Sequence, residues 1–370
     1  MKYTLFVTRQ CNLRCDYCYI GKDISAMPLE LARRVVDYAY ARTPPGEQMD
    51  FVFFGGEPLL EFDRVRDITA LIEQHPRFDP VNVQLSLVSN GTVFSDDIAD
   101  YVREHNVAFG ISCDGPPEVH DRFRRYRSGK GSAAKVEETI RDALDALGQL
   151  MVNAVYRPET ADALPDTVEY FSDLGVRQIY LTPDYSAPWT PAHRRLLGDI
   201  YRAVGAHYMD YYRAGDPHFI SLIDSKIAVL LRGGYQPGER CSMGRGELAF
   251  TPDGGIYPCE RLVGDGGGAH RIGHLDGAFA PQLMQCHQAP KVDGAEATPC
   301  AECGIRPYCM NWCGCSNYFA SGYYDRVSAL LCASERAAIE CAAEVYRTLE
   351  TELGDMFFDH ASGSPLMNSI

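Results

Sequence analysis

The sequence predicts an α/β protein in which six strand–helix units form a partial (β/α)6 TIM-like barrel, followed by a small loop-rich domain. Three observations support this prediction. Short apolar segments alternate with amphipathic ones through the first half of the chain, the composition changes after about Gly234, and ten of the 14 cysteines lie between Cys241 and Cys341. The predicted domains are residues 1–234 for the barrel, 235–345 for the cysteine-rich domain and 346–370 for a C-terminal tail.

Each predicted strand is a short segment rich in apolar residues. The six strands are Tyr3–Thr8, Met49–Phe54, Val81–Ser89, Val107–Ser112, Met151–Tyr156 and Gln178–Leu181. The intervening helices begin near Pro28, Phe62, Asp96, Ala133, Ala163 and Pro191, several of them with residue types typical of a helix start. In barrels built from such units, catalytic groups lie on the loops that follow the strands.

Three cysteines, Cys11, Cys15 and Cys18, directly follow the first predicted strand. Thiolates with the spacing C-x3-C-x2-C on one short loop can hold three irons of a cubane cluster. No fourth cysteine follows nearby, so one iron would stay open to a ligand. A zinc knuckle and chance clustering are the two other interpretations of this triplet.

The loop resembles the signature of the radical S-adenosylmethionine enzymes in its spacing, in Tyr17 before the third cysteine, and in its place after the first strand. The resemblance implies a four-iron cluster whose open iron binds S-adenosylmethionine (SAM). It also implies reductive cleavage of SAM to a 5'-deoxyadenosyl radical that abstracts hydrogen from an unreactive C–H bond. In such enzymes the protein orients the reactants and excludes water and oxygen.

The ends of the next three strands carry residues that resemble cofactor-binding motifs of this family. Gly55-Gly56-Glu57-Pro58 resembles the GGEP motif, which holds the methionyl amino group. Ser89-Asn90 ends the third strand, and Ser112 and Asp114 lie at the end of the fourth. The resemblance implies that these side chains contact the ribose or the methionyl carboxylate. Ordinary turn chemistry explains the Asn-Gly and Asp-Gly pairs equally well.

Seven cysteines of the second domain occur in an order that resembles the SPASM extension of radical SAM proteins. They are Cys241, Cys259, Cys300, Cys303, Cys309, Cys313 and Cys332. The resemblance assigns Cys241, Cys259 and Cys313 to a first auxiliary four-iron cluster and the other four cysteines to a second. With the barrel cluster, this makes three four-iron clusters. Metal crosslinks of this kind stabilise a domain that has little regular core.

The first auxiliary cluster is one thiolate short. Sulfatase-maturing relatives supply this ligand from a cysteine a few residues after the first, but residues 242–247 contain no cysteine. Three alternatives remain open: Cys286 or Cys315 completes the site, Glu247 supplies an oxygen ligand, or one iron stays free for a substrate thiolate.

The residue after Cys259 bears on the reaction. Sulfatase-maturing enzymes, which convert cysteine or serine to formylglycine, place an aspartate base at this position, whereas this chain has Glu260. Glu260 is the candidate catalytic base, with a reach one methylene longer. The predicted function is the formation of a thioether or carbon–carbon crosslink in a ribosomally made peptide. The alternatives are an anaerobic sulfatase maturase and, more distantly, a non-enzymatic iron–sulfur or zinc-binding module.

Composition limits the partners. A net charge of -15 argues against nucleic acid, because phosphate binding needs a basic surface and only the short run Arg122–Arg127 is basic. The sequence shows no signal peptide and no membrane-spanning stretch, and its cysteines favour thiolate ligation, so we expect a cytoplasmic protein. The resemblance implies an electron donor such as flavodoxin or ferredoxin. Because the first strand begins at about Tyr3, leader-peptide recognition would fall to a separate protein, or to none.

Overall fold

The computed structural model describes residues 1–236, 239–241, 243–264, 267–277, 291–292 and 300–362. The strands are β1 Lys2–Thr8, β2 Met49–Gly55, β3 Val83–Ser89, β4 Ala108–Ser112, β5 Met151–Tyr156, β6 Gln178–Pro183, β7 Phe219–Ile220, β8 Glu247–Phe250, β9 Gly255–Tyr257, β10 Gly273–His274, β11 Lys291–Val292 and β12 Arg326–Val327. The helices are α1 Leu29–Arg42, α2 Phe62–Glu73, α3 Asp96–Glu104, α4 Pro117–Phe123, α5 Ala133–Leu147, α6 Leu164–Asp173, α7 Pro191–Arg213, α8 Ser221–Leu231, α9 Gly314–Ser321, α10 Ala329–Leu353 and α11 Asp355–Ser362.

The predicted alternation of strands and helices is confirmed, since all six predicted strands form and a helix follows each of them. The largest difference at a strand start is in β3, which begins at Val83 instead of Val81. Asp79 accepts a hydrogen bond from the backbone N–H of Val81 through its Oδ1, at 3.0 Å. This local turn uses the N–H that a strand would need, so the strand begins after it. None of the described helices is both long and apolar enough to cross a membrane.

The chain forms two compact units. Unit 1 comprises Met1–Ser112, Asp121–Leu150 and Cys241–Cys286. Its strands lie in the order β10-β9-β8-β1-β2-β3-β4, and all pairs from β8 to β4 are parallel. β1 lies in the interior of this sheet and is buried from Tyr3 to Thr8, as expected for a parallel strand that is covered on both faces. The cysteine loop follows its carboxyl end.

Unit 2 comprises Cys113–His120, Met151–Arg240 and His287–Ile370. It contains the parallel strands β5-β6-β7 and the helices α7, α8 and α10, which pack against one another. α10 extends to Leu353, so it includes the first part of the predicted tail. A buried ion pair, Lys226 Nζ to Glu335 Oε2 at 2.7 Å, joins α8 to α10. The proposed domain boundaries at 234 and 345 stay predictions.

Candidate functional site

The cysteine loop is a compact turn at the carboxyl end of β1. Cys11 is buried, whereas Cys15 and Cys18 are partly exposed. The backbone N–H of Cys18 donates to the carbonyl of Cys15 at 3.2 Å, and Lys22 Nζ donates to the carbonyl of Leu13 at 2.7 Å, which closes the loop. Burial raises the pKa of the Cys11 thiol. Three thiols on one turn, two of them accessible, fit the donor set that a four-iron cluster with one open iron needs.

The Gly55-Gly56-Glu57-Pro58 turn packs directly on this loop. The backbone N–H of Gly56 donates to the carbonyl of Thr8 at 2.8 Å, and the N–H of Glu57 donates to the carbonyl of Gln10 at 2.8 Å. A Cβ added at Gly55 would lie 2.1 Å from the oxygen of Thr8, and one at Gly56 would lie 2.1 Å from the oxygen of Gln10. Glycine is therefore required here because two backbone segments approach closely.

The Glu57 side chain connects the end of β2 to the end of β3. Its carboxylate is fully buried and accepts hydrogen bonds from the N–H of Leu59 at 3.0 Å, the hydroxyl of Ser89 at 3.0 Å and the N–H of Asn90 at 2.6 Å. Burial raises the pKa of Glu57 to about 7, and these hydrogen bonds oppose the shift. Its contact with the methionyl amino group stays a prediction, as do those of Gly55, Gly56, Pro58 and Ser89 with SAM.

Asn90 faces the cysteine loop. Its Oδ1 accepts hydrogen bonds from the N–H of Thr92 at 3.0 Å and from the Thr92 hydroxyl at 2.6 Å. Its Nδ2 donates to Asn12 Oδ1 at 2.9 Å and to Cys11 Sγ at 3.6 Å. A residue predicted to contact SAM thus directs its side-chain nitrogen to the loop that carries the three thiols.

Residues 123–126 form a second segment that borders the cysteine loop. The N–H of Asp16 donates to the carbonyl of Phe123 at 3.1 Å, and Arg124 Nη1 donates to the hydroxyl of Tyr17 at 2.7 Å. Arg124 is buried. The sequence predicted no site role for Arg124, which it showed only as part of the short basic run Arg122–Arg127.

Ser112 and Asp114, predicted at the end of β4, belong to different units. Ser112 is the last residue of β4 and is partly exposed. Asp114 is buried; its Oδ1 accepts a hydrogen bond from the N–H of Val155 in β5 at 3.1 Å, and its own N–H donates to His120 Nδ1 at 3.3 Å. The contacts of Tyr17, Ser112 and Asp114 with SAM stay predictions.

Glu260 lies in a charged cluster that the sequence did not reveal. Its Oε2 accepts a hydrogen bond from Lys2 Nζ at 2.9 Å, and Glu247 Oε1 lies 3.4 Å from the same ammonium. Burial opposes ionisation of Glu260, but the charge of Lys2 and a hydrogen bond from Glu247 prevail and lower its pKa. Burial and the Glu260 charge raise the pKa of Glu247, which holds the proton of the pair. Glu260 is therefore ionised near neutral pH and only weakly basic while it is paired with Lys2.

The four cysteines assigned to the second auxiliary cluster lie near one another in unit 2. Burial raises the pKa of the Cys300 thiol, and the neighbouring Cys332 and Cys303 raise it further. Burial also raises the pKa of Cys309, with smaller contributions from Glu335, Cys332 and Cys300 among its neighbours. Arg336 Nη2 lies 4.0 Å from Cys303 Sγ. Neighbouring thiols that perturb one another in this way fit a common metal group, whose ligation stays a prediction.

The cysteines assigned to the first auxiliary cluster are divided between the units, with Cys241 and Cys259 in unit 1 and Cys313 in unit 2. Ligand atoms of Glu247, Cys259 and Glu260 lie within 4.8 Å of one another, so Glu247 stands beside a predicted ligand. Cys315 Sγ lies 3.5 Å from Cys313 Sγ. Cys286 lies outside the described residues. The alternatives for the missing ligand therefore stay open.

Comparisons with known proteins agree with this geometry. Residues 5–185 match the model of the Radical SAM superfamily. The cysteine-type anaerobic sulfatase-maturating enzyme of Clostridium novyi is 25% identical over 327 residues, which cover 82% of this chain and 84% of that enzyme.

Two solved structures share the fold. Native anSMEcpe with bound AdoMet matches with a TM-score of 0.78 at 18% identity, covering 95% of this chain and 99% of that one. Streptococcus suis SuiB bound to precursor peptide SuiA matches with a TM-score of 0.60 at 12% identity, covering 90% and 75%. These likenesses confirm the predicted partial-barrel fold. Residues 5–185 form a Radical SAM domain, and the chain is an enzyme of the sulfatase-maturase and SPASM kind, which implies a four-iron cluster and SAM as cofactors.

Proposed function

We propose that this enzyme oxidises a peptide side chain and closes a thioether or carbon–carbon crosslink in a ribosomally made peptide. One observation carries the proposal: four cysteines of unit 2 lie near one another and far in sequence from the cysteine loop. They are Cys300, Cys303, Cys309 and Cys332. Closing a crosslink removes two hydrogen atoms from the peptide: the 5'-deoxyadenosyl radical takes one, and the other leaves as a proton and an electron, for which a second redox centre is a suitable acceptor. Relatives support a peptide substrate, since SuiB has been solved with its precursor peptide.

The residues of this chain have separate tasks in the proposed reaction. When bound, the clusters and SAM supply the hydrogen-abstracting radical and the acceptor for the remaining electron. Cys11, Cys15 and Cys18 hold the first cluster, and the Gly55-Gly56-Glu57-Pro58 turn orients SAM. The buried guanidinium of Arg124 offers a cation for the methionyl carboxylate. Glu260 accepts the proton that the attacking thiol loses when a thioether forms.

The proposal extends to two auxiliary clusters, to an electron donor such as flavodoxin or ferredoxin, and to a cytoplasmic location. A second function, formylglycine formation in sulfatases, is favoured by the similarity to the C. novyi enzyme over 82% of this chain. Glu260 does not distinguish the two functions, because each needs a base for a substrate thiol or hydroxyl and the pairing with Lys2 weakens Glu260 for both.

The first experiment measures 5'-deoxyadenosine released from SAM by the anaerobically reconstituted protein under reducing conditions. We expect Cys15→Ala to abolish release. Cys341→Ala is the matched control, because Cys341 is a buried thiol of the packed helices and donates to the carbonyl of Tyr201 at 3.1 Å. Release by the Cys15 variant at the rate of the control would contradict the assignment of the loop.

The second experiment compares two peptides, one encoded beside the gene and one carrying a sulfatase maturation motif, by mass spectrometry with fragmentation. Loss of two hydrogens, with fragmentation blocked between two residues, supports a crosslink. A product that a hydrazide reagent traps is an aldehyde and supports formylglycine formation instead. Glu260→Gln should suppress peptide modification while SAM cleavage continues.

A further inference from the structure

We infer that Asn90 is a positioning residue for the iron–sulfur cluster. Its side-chain amide donates an N–H···S hydrogen bond to Cys11 and raises the reduction potential of the cluster held by Cys11, Cys15 and Cys18. The inference rests on the proposed cluster site. It replaces the predicted contact between Asn90 and SAM with a contact to a cluster ligand.

The orientation of the Asn90 amide is determined by its neighbours. The backbone N–H of Thr92 can only donate, so the Asn90 atom that it contacts at 3.0 Å is the carbonyl oxygen. The other amide atom is then the nitrogen, which faces Asn12 Oδ1 at 2.9 Å and Cys11 Sγ at 3.6 Å. Asn12 is oriented in turn, because its own Nδ2 donates to the Thr92 hydroxyl at 2.8 Å.

The same contacts hold the amide rigidly in a place that water does not reach. Asn90 and Cys11 are each 6% exposed, so solvent does not compete for the sulfur. The carboxylate of Glu57 holds the backbone N–H of Asn90 at 2.6 Å and thereby ties the donor to the end of β3. A buried thiolate needs hydrogen-bond donors, and here the backbone of Leu13 and the Asn90 amide serve Cys11.

A hydrogen bond to a ligand sulfur changes the electronic properties of the cluster. The N–H dipole points its positive end at the sulfur and stabilises the reduced cluster, which carries one more negative charge than the oxidised one. Removing the donor should therefore lower the midpoint potential. If Asn90 contacted only SAM, its removal would leave the potential of the SAM-free cluster unchanged and would weaken SAM binding.

The test is an EPR-monitored redox titration of the anaerobically reconstituted, full-length enzyme in the absence of SAM. Subtracting the spectrum of the Cys11→Ala, Cys15→Ala, Cys18→Ala triple variant isolates the signal of the first cluster. Asn90→Ala should shift its midpoint to a more negative value, with unchanged iron content and SAM affinity. Asn82→Ala, at a surface turn, is the matched control and should shift neither.

An unshifted midpoint in Asn90→Ala would overturn the inference, and weakened SAM affinity in that case would restore the contact predicted from the sequence. Should Asn90→Ala fail to retain iron, Thr92→Val decides instead. It removes the hydroxyl that donates to Asn90 Oδ1 at 2.6 Å but keeps the Thr92 N–H, so the amide is held less firmly and the midpoint should move in the same direction by a smaller amount. An unshifted midpoint in Thr92→Val would then overturn the inference.

The same titration separates failure of the inference from failure of the proposed function. If the midpoint potential shifts in Asn90→Ala but the wild-type enzyme modifies no peptide, the inference holds and the proposed function is rejected. Identical spectra for the wild type and the triple cysteine variant would contradict the cluster site at Cys11, Cys15 and Cys18, and would overturn the inference as well.

Discussion

Replacing Gly56 by alanine should separate the Gly55-Gly56-Glu57-Pro58 turn from the cysteine loop. The new Cβ would lie 2.1 Å from the carbonyl oxygen of Gln10 and 2.5 Å from its carbon, whereas real Cβ contacts essentially never fall below 3.0 Å. Both neighbouring atoms belong to the backbone, so no side-chain rotation relieves the clash. The two segments must therefore move apart by at least about 0.9 Å.

This displacement breaks specific contacts. The hydrogen bonds from the N–H of Gly56 to Thr8 and from the N–H of Glu57 to Gln10 are both 2.8 Å long, and an added 0.9 Å takes them beyond hydrogen-bonding distance, which ends at about 3.5 Å. Two lost hydrogen bonds at about 1 kcal/mol each, together with residual strain, lower the free energy of unfolding by about 2–4 kcal/mol. Because the loop carries the three thiols, iron content and SAM cleavage should fall as well.

The assay is urea denaturation of the anaerobically reconstituted variant, alongside its iron content and its release of 5'-deoxyadenosine. Gly246→Ala is the matched control, because its added Cβ meets no atom within 4 Å and its φ is not in the left-handed region. The control should behave like the wild type. If Gly56→Ala equals the control in stability, iron content and SAM cleavage, the steric argument is refuted.

Two further predictions concern unit 2. Burial raises the pKa of Asp224 from 3.8 to about 7. The folded protein therefore keeps this proton up to about pH 7, whereas the unfolded chain loses it near pH 4. Ionisation of Asp224 thus lowers the free energy of unfolding as the pH rises from 4 to 7, by at most about 4 kcal/mol. Asp224→Asn should flatten this slope in urea denaturation between pH 5 and 8, and an unchanged slope would contradict the assignment. Lys226 and Glu335 are 6% and 8% exposed, so Glu335→Ala strands a buried ammonium and should cost about 3–5 kcal/mol. The double variant Lys226→Met, Glu335→Leu should regain most of this loss, and equal denaturation midpoints for the single and double variants would refute the argument.

Much of the barrel was predictable because its signals are local. A strand of alternating or continuous apolar residues, followed by an amphipathic helix, is specified within about twenty residues of chain. The starts of α2 and α3 were predicted at Phe62 and Asp96, where the helices begin. The close packing of Gly56 on the loop was foreseeable in kind, since adjacent glycines after a strand indicate close backbone approach. The atom that Gly56 packs against, the carbonyl oxygen of Gln10, was not foreseeable from the sequence.

The sequence by itself determined the Radical SAM domain, the three thiols on the loop after β1 and the order of strands and helices, because each depends on residues that are neighbours along the chain. Only the tertiary structure decided which distant side chains meet. Lys2 reaches Glu260 across 258 positions, Arg124 reaches Tyr17 across 107, and Asn90 reaches Cys11 across 79. No spacing rule encodes such pairs, because they follow from how the fold brings together strands and loops that are far apart in the chain. They bear directly on the charge and hydrogen bonding of the proposed site.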